Sequence, residues 1–231
     1  MGRDPLAGPQ AVAAFDLDGT LTEGGSVVSW LRAVAGRRVV TQAVVRHGPS
    51  LLAGAVRSGS TADDAKERLF TSVLAGRSLD RVVEVSDRFA REHLHLKVRR
   101  QVAARLTAHL EAGHTVVIVS ASPALYVRQI ALDLGVAGSV STELEVDEGG
   151  NLTGRYDGKN CRGEEKLRRV RELLDELGVG DTGPELPLYA YGNSRGDLRL
   201  LGSADRPVDV SKLGRLGRLS RFPRLEAQPL T

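Results

Sequence analysis

The stretch Ala11-Val12-Ala13-Ala14-Phe15-Asp16-Leu17-Asp18-Gly19-Thr20-Leu21-Thr22 decides how the rest of the chain is read. An unbroken apolar run, Ala11 to Phe15, ends on two acids and a Gly-Thr pair. A short continuous run of this kind predicts a strand buried on both faces, as in parallel sheets covered by helices. Ligands in such sheets bind beyond the carboxyl ends of the strands. Asp16 and Asp18 therefore stand where chemistry is expected.

From Ser26 to about Leu110 the pattern is helical. Ala62, Ala65, Leu69, Phe70, Val73 and Leu74 share one helical face, and Ser60 or Thr61 is placed to cap it. Leu79, Val82, Val83, Phe89, Ala90 and Leu94 make a second stripe, and Val98, Val102, Leu106 and Leu110 a third. After Gly113 the period changes. Thr115 to Val119 is β-branched and apolar, a buried strand. Ser122 and Pro123 read as the N-cap and first residue of a helix closed by Gly135. Alternation around Glu143 to Tyr156, broken at Gly149-Gly150, predicts a hairpin. Leu167 to Leu177 is a helix ending at Gly178, Leu188 to Tyr191 a strand, and Pro207 to Val210 another. Strand and helix alternate on either side of the long helical block. The expected architecture is α/β, a Rossmann-like parallel sheet core (residues 1–23 and 98–211) with an inserted helical cap (24–97) and a basic tail (212–231).

Four strand ends or following turns carry polar groups: Asp16 to Thr20, Ser120 after Val119, Lys166 after Gly163, and Asn193 with Asp197 after Tyr191. Phosphoryl transfer through an aspartate needs a carboxylate nucleophile, a second carboxyl for the leaving oxygen, a metal, and donors for the transferring oxygens. In this inventory Asp16 attacks phosphorus, while Asp18 protonates the leaving alkoxide and later deprotonates water. Gly19 and Thr20 form a tight turn that brings backbone amides to the phosphate. Ser120 donates a hydrogen bond, with Ala121 beside it, and Lys166 supplies a point charge. Taken singly, these groups also fit blander roles, such as a solvated strand end, a turn hydroxyl, a surface lysine or a cap of the next helix. Their joint placement favours the chemistry.

Phe15 to Thr22 resembles the first signature of the haloacid dehalogenase superfamily. Val116-Val117-Ile118-Val119-Ser120-Ala121-Ser122-Pro123 resembles the second, Cys161-Arg162-Gly163-Glu164-Glu165-Lys166 the third, and Tyr191-Gly192-Asn193-Ser194-Arg195-Gly196-Asp197 the fourth. Order, spacing and the helical insertion are similar to subfamily IB, the phosphoserine phosphatase-like branch. The resemblance implies Mg²⁺ held by Asp16, Asp18, Asn193 and Asp197, and a small phosphate-ester substrate. Three positions depart from the family pattern. Asn193 stands where an aspartate is usual, which removes one negative charge from the metal site. Gly25 stands nine residues after Asp16, where phosphoserine phosphatases carry a glutamate, although Glu23 is close. Lys159 competes with Lys166 for the lysine role, and Lys166 is preferred because it starts an amphipathic helix.

Bulk properties bound the remaining choices. The 231 residues are 41% hydrophobic, enough for a sizeable core, but only 4% aromatic. The net charge of +3 gives no reason to expect a nucleic-acid partner. The charge is uneven: between Lys212 and Glu226, Lys212, Arg215, Arg218, Arg221 and Arg224 face Glu226 alone, so the rest of the chain is slightly acidic. These basic residues recur every third position beside Leu213, Leu216, Leu219, Phe222 and Leu225, a period that matches no helix face. Either the apolar members pack on the core, which is the preferred reading, or the stretch 212–226 makes a weak contact with an anionic membrane. The second reading would suit an alternative function as a phosphatidylglycerophosphate-type lipid phosphatase, a substrate known for some subfamily IB members with similar motifs. The single Cys161 leaves no internal disulfide and fits a reducing cytoplasm. Met1 to Gln10 has no hydrophobic signal region, and no apolar run approaches the roughly 20 residues of a membrane span. The five histidines show no ligand spacing. Two rival readings fit less well: a receiver domain, disfavoured because both acids sit in one Asp-x-Asp, and a non-catalytic phosphate-binding protein, favoured only by Asn193. The sequence specifies no oligomeric state.

Overall fold

A computed structural model of the protein describes residues 11–57, 60–179, 186–211 and 221–225. Strand β1 (Val12–Asp16) is the centre of a five-stranded sheet. It pairs in parallel with β3 (Thr115–Pro123) on one side and β7 (Leu188–Gly192) on the other. Strands β4 (Gly138–Thr142) and β8 (Arg206–Asp209) complete the order β4-β3-β1-β7-β8, parallel throughout. Side chains alternate across this sheet, and both faces are covered, as the continuous apolar runs require. Ala13, Phe15, Val116, Ile118 and Tyr191 join one core with α5 (Arg100–Glu111) and α6 (Ala124–Asp133). Ala14, Val117, Val119 and Ala190 join a second with α7 (Glu164–Glu176) and α8 (Leu198–Ser203). This is the doubly covered, Rossmann-like α/β fold expected from the sequence.

Between β1 and α5 lie α1 (Val27–Ala35), α2 (Arg37–Arg57), α3 (Ser60–Leu74) and α4 (Leu79–Lys97). The stripe on α3 is buried at Ala65, Leu69, Phe70, Val73 and Leu74, and that on α4 at Val82, Phe89 and Ala90. The block is not purely helical. Strand β2 (Arg77–Ser78) sits between α3 and α4 and pairs with the hairpin of β5 (Leu144–Val146) and β6 (Asn151–Tyr156). The resulting antiparallel sheet, in the order β2-β6-β5, seats the hairpin against α3. Gly154 makes this contact close: with φ +79°, a Cβ there would lie 2.4 Å from Thr71 Cα. Two residues are too short a strand to leave a period-2 signal, so β2 was not legible.

A second difference concerns Ser122 and Pro123. Strand β3 continues through both, past a register irregularity between Val119 and Pro123, and α6 begins at Ala124. Ser122 does not cap the helix, because its hydroxyl is drawn to Asp18 instead. Gly135 and Gly178 do follow their helices with left-handed φ of +65° and +67°.

Of the tail, residues 212–220 and 226–231 lie outside the described residues. The segment 221–225 packs on the core. Pro223 O accepts the Asp209 amide at 2.8 Å, Leu225 O accepts from Arg105 at 3.1 Å, Leu225 is buried, and Phe222 packs against the α7–α8 face. Among the described residues no helix is long and apolar enough to cross a membrane.

Candidate active site

Asp16 is the last residue of β1 and is buried. Its Oδ1 accepts from Lys166 Nζ at 2.5 Å, and its Oδ2 from Thr20 Oγ1 at 2.8 Å. Lys166 reaches it from the first turn of α7, and also donates to Asp197 Oδ1 at 2.5 Å and to Val119 O at 3.2 Å. Lys159, the competing lysine, is exposed. One buried ammonium thus lies between two buried carboxylates, and the cluster keeps a net negative charge.

The environments of the two carboxylates differ. Asp197 accepts from Lys166, from the amides of Asn193 and Ser194, and from Ser194 Oγ. Burial opposes its ionisation, but Lys166 and these donors hold it below the usual carboxylate range. Asp16 has two donors among the described residues. Burial raises it first and the charge of Asp197 second, and Lys166 offsets them in part, leaving it at about 7. Burial disfavours the charge on Lys166, yet the two carboxylates outweigh that and raise it.

The loop after β7 presents Asn193. Its Oδ1 is buried and has no hydrogen-bond partner, and its amide lies against Gly19. Asp18 is half-buried, and both its oxygens are engaged: Oδ1 accepts the Ser26 amide at 2.6 Å, and Oδ2 accepts the Ser122 hydroxyl. The four residues expected to bind metal are therefore not equivalent. All three carboxylates, Asp16, Asp18 and Asp197, are engaged by protein donors, and Asn193 Oδ1 alone of the four has no hydrogen-bond partner among the described residues. Among the described residues no three His, Cys, Asp or Glu side chains form a metal cluster. A cation at Asp16 would depend on the amide oxygen of Asn193, and an orphaned buried oxygen suits that use.

Ser120, at the irregular end of β3, is buried and accepts the Ser122 amide at 3.0 Å, which leaves its hydroxyl proton to donate. The Ala121 carbonyl accepts from Thr142 Oγ1 at 2.7 Å and from Lys66 Nζ at 2.5 Å. The sequence reading missed Lys66. It lies on α3, donates also to Asn160 Oδ1 at 3.1 Å, and sits 5.5 Å and 5.9 Å from the Phe70 and Tyr156 rings. Burial pulls its ammonium down to about 8, against the attraction of Asp18 and Asp63. No signal in one sequence distinguishes Lys66 from the solvated lysines of a helix face. Arg99 was missed too: its Nη1 donates to the carbonyls of Gly19 at 2.7 Å and Val210 at 2.9 Å, tying the nucleophile turn to the end of β8. Cys161 is buried and its thiol is pushed up to about 11 by burial, so it serves packing.

Next to Asn160, a partner of Lys66, a cavity of about 500 Å³ opens between α3 and the loop before α7, lined by the acids Asp63, Asp64, Glu67, Glu164 and Glu165 and by Arg162 among others. A larger cavity, about 860 Å³, borders Val12 and Leu188 at the opposite ends of the strands from Asp16.

Comparison with known proteins agrees with this fold. A family model described as haloacid dehalogenase-like hydrolase matches residues 13–202. The chain is 33% identical over 207 residues to Protein CicA of Caulobacter vibrioides, covering 89% of this chain and 86% of that protein. It is 28% identical over 224 residues to phosphoserine phosphatase SerB1 of Mycobacterium tuberculosis, covering 95% and 70%. Among solved structures, a Bordetella pertussis protein of unknown function superposes with a TM-score of 0.76 at 26% identity, covering 96% of this chain and 100% of that one. A phospho-aspartyl intermediate analogue of phosphoserine phosphatase superposes at 0.61 with 16% identity over 87% and 86%, a likeness of fold. A family match that takes in most of the chain, from β1 to α8, establishes that this protein belongs to the haloacid dehalogenase-like hydrolases.

Proposed function

We propose that the protein is a phosphomonoesterase that passes the phosphoryl group of its substrate to Asp16 and then to water. The observation that carries this reading is Lys166, held at 2.5 Å from both Asp16 and Asp197. A cation so placed orients the nucleophile and meets the charge that gathers on the transferring phosphoryl oxygens. The phosphatase names of several relatives, SerB1 among them, support the reaction class.

An Asp16 oxygen attacks phosphorus while the bond to the leaving oxygen breaks, and Asp18 gives that oxygen a proton. Water then attacks the phospho-aspartyl group, Asp18 takes its proton, and inorganic phosphate leaves with Asp16 restored. Thr20 Oγ1 holds Asp16 in place. The Ser120 hydroxyl and the backbone amides of Gly19 and Ala121 bind phosphoryl oxygens, with Lys166 as the fixed charge, whereas the Thr20 amide is already given to the Leu17 carbonyl at 3.2 Å. Asp16 and Asn193 would hold Mg²⁺, which supplies charge neutralisation for the phosphate. Asp197 acts behind them, on Lys166 and on the loop. What supports a contact between Lys66 and the leaving-group half of an anionic ester is its bond to the Ala121 carbonyl, next to Ser120.

The test is to trap the intermediate. After acid quenching of turnover on p-nitrophenyl phosphate in Mg²⁺, a hydroxylamine-labile phosphoryl group should map to Asp16. Asp16→Asn, nearly isosteric, should fold and lack both label and turnover. Activity above a few per cent in that variant would refute the assignment.

A further inference from the structure

Three buried hydroxyls stand behind Asp18. Ser122 Oγ donates to Asp18 Oδ2, Ser26 Oγ lies 2.6 Å from Tyr126 Oη, and the two serine oxygens are 3.5 Å apart. Ser26, Ser122 and Tyr126 are each no more than 2% exposed. Buried hydroxyls are costly unless each finds a partner, and these find theirs in one another and in Asp18. Burial and the nearby Asp18 charge raise the Tyr126 phenol well above its ordinary range, so it stays a donor. The other Asp18 oxygen accepts the amide of Ser26, where α1 starts. Both carboxylate oxygens are thus fixed, one from β3 and one from the start of α1.

We propose that Ser122 is a positioning residue for Asp18: its hydroxyl, backed by Tyr126 and Ser26, sets the plane of the carboxylate that exchanges a proton with the leaving oxygen. The inference rests on the acid/base role given to Asp18 above. Without the Ser122 donor, Asp18 keeps only the Ser26 amide and can rotate, so the fraction of carboxyl groups aimed at the leaving oxygen falls. The effect must follow the leaving group's need for a proton. A hydroxyl that only filled space would slow all substrates alike.

The experiment compares single-turnover leaving-group release from benzyl phosphate, whose alkoxide needs a proton, and from p-nitrophenyl phosphate, whose phenolate does not. Ser122→Ala should slow the first by about tenfold and the second by less than about twofold, a part of the usual acid/base effect. Ser122→Thr, which keeps the hydroxyl, should restore the benzyl rate. In an Asp18→Asn background, Ser122→Ala should add no selective loss. Should Ser122→Ala not fold, Ser122→Cys, a weak donor of similar size, is read in the same way. Equal losses on both substrates, or no loss, overturn the proposal. Asp18→Asn is the control: if it is selective and the Ser122 variant is not, the positioning role alone fails. If Asp18→Asn is itself unselective, the acid/base reading has failed and takes the proposal with it.

Discussion

The side-chain amide of Asn193 lies so close against Gly19 that a methyl group at Gly19 would stand 2.0 Å from Asn193 Nδ2. Gly19 also has φ +79°, where a Cβ is strained. The pair links the turn after β1 to the turn after β7, and the Asn193 amide oxygen is left buried without a partner.

The first prediction follows from that contact. Asn193→Asp restores a carboxylate and should lower the Mg²⁺ concentration for half-maximal activity several-fold. Gly19→Ala, which must push the amide aside, should raise it. Titration of activity against Mg²⁺ in the three proteins is the check. An unchanged or higher midpoint in Asn193→Asp would remove Asn193 from the set of ligands.

Lys66 gives a pH dependence. Lowered by burial to about 8, it is charged below that pH and neutral above it, with Asp18, Asp63, Cys161 and Arg162 as its charged or titratable surroundings. For an ester with an anionic leaving group, KM should rise as pH passes about 8 in the wild type. Lys66→Arg, charged at every working pH, should not show that rise, and Lys66→Met should show a high KM throughout. A KM that ignores both substitutions would place Lys66 outside the substrate site.

The C-terminal segment should be structural. Removing everything after Ser211 exposes the pocket that Leu225 fills and the face under Phe222, and it frees the Asp209 amide. Two such side chains contribute on the order of 3 kcal/mol together, which corresponds to a fall in Tm of roughly 6–12 °C. Scanning calorimetry of the truncated chain is the measurement. A truncated protein that keeps its Tm but no longer sediments with anionic vesicles would establish the lipid-contact reading instead.

His109 should make acid destabilising. It packs between Phe15 and Tyr189, with Nε2 2.9 Å from Tyr191 Oη and Nδ1 2.7 Å from His114 Nδ1. Burial first, then His114 and Arg105, hold it down at about 4. The unfolded chain, with an ordinary histidine near 6.5, binds more protons between these values, so stability rises with pH across that window. The loss from about pH 6.5 to 4 is roughly 1–3 kcal/mol for this group. Denaturant unfolding of His109→Gln should show a flatter dependence over that range. Parallel curves for the two proteins would mean that His109 titrates normally.

How much was legible in the sequence depends on the range of the interactions. The apolar run into Asp16, the β-branched run into Ser120 and the helix beginning at Lys166 are local patterns, set by backbone geometry and by burial on one or two faces. They determined the α/β class, the order of the strands along the chain and the residues at their carboxyl ends. Tertiary structure decided which of those groups meet. Lys166 and Asp16 stand 2.5 Å apart across a separation of 150 residues. Asp197 turned out to grip Lys166 and its own loop, because a buried carboxylate takes the donors within reach, here the Lys166 ammonium, the Ser194 hydroxyl and two backbone amides. Lys66, Arg99 and the Ser122 hydroxyl escaped notice for the same reason. Each is unremarkable among its sequence neighbours, and acquires a role only where packing removes water and brings partners distant in sequence within reach. Local periodicity records which face of an element is buried, but the identity of the group across a buried gap is a property of the folded chain alone.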